Sequence, residues 1–90
     1  MSFLIFPDCL ILDVRFANSK AGNPYARLNF LVNDTLAVYE VMVFGDAVGI
    51  AAGLSKGSRC SLEFDVLPDR NGGVRLELVS MGAVGAIEGV

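Results

Sequence analysis

Tyr25 and Arg27 stand two residues apart in the run PYARLNFLV, so in an extended strand they share one face. Just upstream, the stretch Asn18 to Pro24 holds Lys20, Gly22 and Pro24. From Val14 to Asn33 the chain carries three cations (Arg15, Lys20 and Arg27) and no acid. An aromatic ring offers a stacking platform to a base of any identity, and a guanidinium or ammonium beside it pairs a phosphate. Tyr25 therefore reads as a candidate stacking residue, and Arg15, Lys20 and Arg27 as candidate phosphate contacts. Each has a plain alternative. Tyr25 can be a cross-strand packing residue with its hydroxyl in water. The cations can be a solvated rim whose surface ion pairs are worth about 0–1 kcal/mol.

The totals set the frame for this chemistry. Ninety residues make one domain, of a size that buries about 60–65% of its unfolded surface, so a subunit interface would add stability. The chain is 53% hydrophobic and 19% charged, which excludes a disordered chain and leaves apolar surface for a partner subunit. Its formal net charge is −3, against the usual sign for a nucleic-acid binder. The distribution matters more than the sum. Cys60 to Ser80 holds four acids (Glu63, Asp65, Asp69, Glu77) against Arg70 and Arg75. Charges more than roughly 8 Å apart are screened at physiological salt, so a basic patch can act beside an acidic one.

Enzyme chemistry finds no support. There is no histidine, and no nucleophile stands near a base. Glu63 and Asp65 share a strand face and read as solvated carboxylates rather than an acid–base pair. Cys9 and Cys60 are too few and too far apart in sequence for zinc and read as buried inert thiols. No metal or other cofactor and no small-molecule substrate is expected. The apolar N-terminus lacks a basic region before it, and no apolar run reaches the roughly 20 residues of a membrane span. The expected setting is cytoplasmic and reducing.

The elements that position these residues follow from periodicity. Cys9 to Ala17 alternates, with Leu10, Leu12, Val14 and Phe16 on one face and Ile11, Asp13, Arg15 and Ala17 on the other. Tyr25 to Val32 alternates with Ala26, Leu28, Phe30 and Val32 inward. Asn33-Asp34-Thr35 makes a turn. Ala37 to Phe44 is a third strand whose two faces are both largely apolar. Asp46 to Leu54 suits one short helix with Asp46 as N-cap. Ser58 to Leu67 and Val74 to Met81 are the fourth and fifth strands, joined by a hairpin at Pro68 to Gly73 whose sharpest turn signal is Asn71-Gly72. In the fourth, Cys60, Leu62, Phe64 and Val66 point inward; in the fifth, Val74, Leu76 and Leu78 do. The order is three strands, a helix, two strands. This predicts an all-β OB-fold, a five-stranded Greek-key barrel with one short helix between strands 3 and 4. The domain spans residues 1–81, and 82–90 form a Gly-rich apolar tail. In this fold the first and fourth strands are neighbours, so Cys9 and Cys60 could be close.

The run VYEVMVFGDAVGIAAGLSKGSRCSLEF, Val38 to Phe64, resembles the third strand, helix and fourth strand of bacterial-type single-stranded-DNA-binding proteins. The marks are Phe44-Gly45 closing a strand, a small-residue helix, and Leu54-Ser55-Lys56-Gly57-Ser58 before the next strand. Gly22-Asn23-Pro24-Tyr25 is similar to the small single-strand binders of filamentous phages. The likeness covers residues 9 to 81. It implies that an aromatic on the outer face of the third strand stacks on bases, and that position is Phe44 here. An earlier aromatic position of the family is Val38, and a basic one is Glu40. The family's acidic C-terminal tail is not matched by the closing residues AIEGV, which fits a phage or plasmid version.

The chemistry and the resemblance converge on a sequence-nonspecific single-stranded-DNA binder that coats and protects DNA during replication. It would act as a dimer or larger oligomer, with no membrane partner. Its expected contacts are Arg15, Lys20, Tyr25, Arg27, Phe44, Arg70 and Arg75, although Asp69 and Glu77 stand ready to neutralise the last two. Lys56 and Arg59 fall away from the expected groove. Tyr39 is expected in the core. The rival reading is an OB-fold protein–protein subunit without nucleic-acid binding, favoured by the net charge and by Glu40 on the binding strand.

Overall fold

The alternation of PYARLNFLV is realised as expected: Ala26, Leu28, Phe30 and Val32 are buried, while Tyr25, Arg27 and Asn29 face outward. In the computed structural model, which describes residues 2–84, this segment is one of five strands. They are β1 (Ser2–Asn18), β2 (Pro24–Val32), β3 (Ala37–Phe44), β4 (Arg59–Pro68) and β5 (Val74–Gly82), with α1 (Ala47–Ala51) between β3 and β4. The sheet order is β3-β2-β1-β4-β5, with every neighbouring pair antiparallel. The chain returns after α1 to lay β4 beside β1, which is the Greek-key path of the OB-fold. The domain's last strand reaches Gly82, one residue past the expected boundary, and residues 85–90 of the expected tail lie outside the described residues.

β1 differs most from expectation. The apolar segment before Pro7 and the alternating segment after it are one strand of 17 residues. Its N-terminal half pairs with β4 and its C-terminal half with β2. A proline cannot donate to a ladder, and it is accommodated here where the β4 register shifts, between Phe6 and Cys9. A second shift, between Ile11 and Asp13, inserts one extra residue against β2. Because side chains alternate with period two, that residue moves the inward set from Cys9 and Ile11 to Val14. The expected single face of Leu10, Leu12, Val14 and Phe16 is therefore split.

The core is built on four packed rings from four strands. Phe30 of β2 stacks on Phe64 of β4 (centroids 5.6 Å apart, planes at 15°) and on Tyr39 of β3 (5.6 Å, 26°). Phe6 of β1 meets Phe30, Tyr39 and Phe64 at 5.5, 5.4 and 5.9 Å. Tyr39 thus packs on the core as expected, yet it is 40% exposed because β3 is an edge strand. On β3 the buried face is Val41 and Val43, which resolves the ambiguity of its two apolar faces. Val74 departs from expectation: it opens β5 and is exposed, and only Leu76 and Leu78 of that strand turn inward. α1 is shorter than expected, and Asp46 holds the N-cap position without a side-chain cap bond.

Asp8 ties three segments together. Its carboxylate accepts from Asn33 Nδ2 at 2.8 Å and from Arg59, joining β1, the β2–β3 turn and the start of β4. These donors, Arg59 first, hold its carboxyl below the usual 3.8. A folded-state pKa below the unfolded one adds stability above the unfolded value, lost as pH falls through the folded one. Asp8→Asn is accordingly expected to lower the melting temperature at pH 7. The gap to wild type should narrow as pH drops below the ordinary carboxylate value; melting curves at pH 7 and at pH 3 check this. An equal gap at both would mean that shape, not charge, holds the junction.

Candidate nucleic-acid interface

The strand registers sort the outer face of β1, β2 and β3 into rows. Ala17, Tyr25 and Phe44 lie across the three strands in one row. The next row is Arg15, Arg27 and Met42, and the one after it Asp13, Asn29 and Glu40. Aromatics therefore stand nearest the β1–β2 loop, cations behind them, and acids behind those. Tyr25 and Phe44 are directly opposed, with ring centroids 5.9 Å apart and planes at 30°. Phe44 is 62% exposed, an uncommon position for a phenylalanine unless something covers it.

Local structure explains why these side chains sit there. The loop Ser19–Asn23 is closed by the Ser19 N–H donating to Asn23 O (2.8 Å) and the Gly22 N–H to Ser19 O (2.9 Å). It carries Lys20 outward at its tip, beside the aromatic row. At the other end of that row, Gly45 follows Phe44 with φ +63, a left-handed conformation that side chains rarely adopt. It turns the chain from β3 into α1 and leaves Phe44 as the last residue of an edge strand. This is the physical content of the Phe44-Gly45 signature.

The cations are held loosely. Arg15 Nε pairs with Asp13 at 2.7 Å, and that bond lowers the Asp13 carboxyl's pKa. Arg27 Nε stands 4.0 Å from Glu40. Both arginines are well exposed, and surface pairs of this kind are worth about 0–1 kcal/mol, so a phosphate can replace either acid at small cost. Lys20 has no ion-pair partner among the described residues.

The remaining candidates are placed differently. Arg70 sits at the tip of the β4–β5 hairpin, on a turn closed by the Gly72 N–H to Asp69 O; Gly72 and Gly73, not Asn71, take the positive φ angles. Arg75 points from β5 and pairs with Glu77 at 3.3 Å. Registers put the hairpin beyond the N-terminal half of β1, whereas the β1–β2 loop extends from its C-terminal end. Arg70 and Arg75 therefore do not join the rows of Tyr25 and Arg27, although Arg75 lines a groove that Phe44 also lines.

Phe16 was not among the sequence candidates. It is 53% exposed and lines a cleft of about 250 Å³ with Arg15, Ala17, Tyr25 and Arg27. Its phase in the alternation makes it look like core. Only its place at the loop end of the barrel, where none of the described residues covers it, turns it into surface.

The cysteines are directly opposed across β1 and β4, and both are free and buried. Burial, then the neighbouring Cys60 and Asp8, pushes the Cys9 thiol up to about 12, and burial raises Cys60 as well. Thiols so disposed carry little thiolate and make poor nucleophiles. Among the described residues no group of three or more Cys, Asp or Glu is placed to hold a metal ion. No helix among them is long and apolar enough to cross a membrane.

Comparison with solved structures finds the same architecture in Rim1, a mitochondrial single-stranded DNA binding protein from S. cerevisiae, at a TM-score of 0.66. The superposition covers 92% of this chain and 95% of that one. The two share the OB-fold. Their sequences are 15% identical, so the likeness is one of backbone path. No family model matches the chain, and no curated protein matches it in sequence. The OB-fold expected from the strand order, and the separate resemblance to single-strand binders, hold at the level of architecture.

Proposed function

We propose that this OB-fold binds single-stranded DNA without sequence preference, through the outer face of β1, β2 and β3. The observation that carries the reading is the row order: Tyr25 and Phe44 side by side, Arg15 and Arg27 immediately behind, and Lys20 at the adjoining loop tip. Bases stack on the rings while the cations follow the phosphates. Stacking on a ring accepts a base of any identity, so recognition is general. The shared architecture with Rim1 agrees with this reading. Two rings per protomer support weak binding, since stacking contributes about 1–3 kcal/mol per base. Useful affinity then comes from several protomers on one strand, and the protein acts as a dimer or larger oligomer. Its role is to coat DNA exposed during replication, in a phage or plasmid setting to which the Gly22-Asn23-Pro24-Tyr25 likeness points. Binding and protection, not catalysis, are its work. Arg70 and Arg75 stand off these rows and are peripheral to the contact.

The test is tyrosine fluorescence during titration with oligo(dT), with a duplex of equal length as control. Quenching by the single strand alone is expected. Its affinity should fall with salt at a log–log slope of about −2, the value for three phosphate contacts on a single strand. No quenching at low salt with native circular dichroism intact would reject the proposal in favour of the protein–protein subunit.

A further inference from the structure

β3 and β5 are the two edges of the sheet, and they face each other across the open side of the barrel without a ladder between them. An unpaired edge presents a row of free backbone N–H and C=O groups. Between these edges lies a groove of about 900 Å³. Its floor is apolar: Val41 and Val43 from β3, Leu76 and Leu78 from β5, and Ile50 from α1. Its rim is acidic. Glu40 stands on the outer face of β3, Glu77 on that of β5, and Asp46 and Asp65 also line it. Among the described residues the one cation lining it, Arg75, is paired with Glu77, and Glu40 stands 4.0 Å from Arg27, which lies outside the groove; both pairs are exposed and exchangeable. Asp65 Oδ1 is buried without a hydrogen-bond partner, an acceptor left open to a donor.

We infer that this seam takes an extended segment of a partner protein in which basic and apolar residues alternate. Laid along the groove, such a strand bonds its backbone to the free edge of β3 or of β5. Its apolar side chains then turn inward, beside Val41, Val43, Leu76 and Leu78. Its basic side chains turn outward, to Glu40 and Glu77. Charge complementarity selects this occupant over two others. A nucleic-acid strand would meet four carboxylates. A second copy would bring its own edges, and β3 carries no cation while β5 carries only Arg75. The seam is thus a protein-facing site that shares Glu40, Met42 and Phe44 with the β3 end of the outer rows, and its assignment rests on its own acids and edges, not on DNA binding.

The probe is a synthetic peptide of four Lys-Val repeats, titrated into the isotope-labelled full-length protein, with four Glu-Val repeats and four Lys-Ser repeats as controls. Amide shifts are expected for Lys-Val alone and confined to residues 39–46 and 74–79. Glu40→Gln together with Glu77→Gln, both exposed positions that leave the core intact, should weaken binding about tenfold, the combined loss of two surface charge pairs. Equal binding of Glu-Val, no loss in the double variant, or shifts on the β1–β2 face instead would each overturn the assignment. So would a concentration-dependent dimer that protects β3 and β5 amides from exchange while Lys-Val shifts nothing, which would give the seam to a second copy.

Discussion

Phe30→Ala is expected to cost about 3–5 kcal/mol, the range for deleting a fully buried phenylalanine. That is a large share of the roughly 5–10 kcal/mol available to a domain of this size. Phe30 is fully buried and touches rings from three other strands: Phe6, Tyr39 and Phe64. Removing it leaves a cavity whose walls belong to four strands at once, so no single neighbour can collapse into the space. It also removes two stacked contacts, each worth about 0.5–1.5 kcal/mol beyond area burial. Urea denaturation followed by far-ultraviolet circular dichroism measures the loss. Tyr39→Ala, at the exposed edge of the same cluster, should cost visibly less. Equal costs would mean that the cluster relaxes as a unit and that Phe30 is not its centre.

Tyr25→Ala and Phe44→Ala test the outer face with little effect on the inner one. Each removes one stacking platform, and about 1–3 kcal/mol per base corresponds to roughly 5- to 150-fold in the dissociation constant for oligo(dT). Because the two rings are adjacent across β2 and β3, their losses should not simply add. One base can shift onto the surviving ring in a single variant but not in the double. Tyr25→Phe should bind as wild type does, since stacking uses the ring and not the hydroxyl. Fluorescence anisotropy of a labelled oligonucleotide gives all four constants, and a melting curve confirms that each variant is folded. Wild-type affinity in both alanine variants would remove the rows from the DNA path.

The two predictions act on opposite faces of the same strands, and the opposition was partly legible in the sequence. β2 was read in full, face by face, because a strand between two neighbours with one wet side imposes strict alternation on its residues. The strand order, the helix position and the aromatic–cation pairing of Tyr25 with Arg27 followed from the same periodicity. β1 was not read in full. Its bulge between Ile11 and Asp13 shifts the phase by one residue, and nothing in an alternating apolar run marks where that extra residue falls. Phe16 was missed for a related reason, since burial at the end of a strand depends on what covers it.

The sequence by itself determined the architecture, the basic stretch from Val14 to Asn33 and the absence of histidine, because periodicity and composition are local properties of the chain. Only the tertiary structure decided which residues stand together. Tyr25 and Phe44 are nineteen positions apart and meet through the β2–β3 register. Arg27 and Glu40 come within 4.0 Å by the same pairing. The acidic seam joins β3 to β5, segments separated by some thirty residues, and it exists because the barrel stays open between them. Contacts of this kind depend on register, curvature and closure, and a one-residue slip in any strand would exchange the outward face for the face that packs.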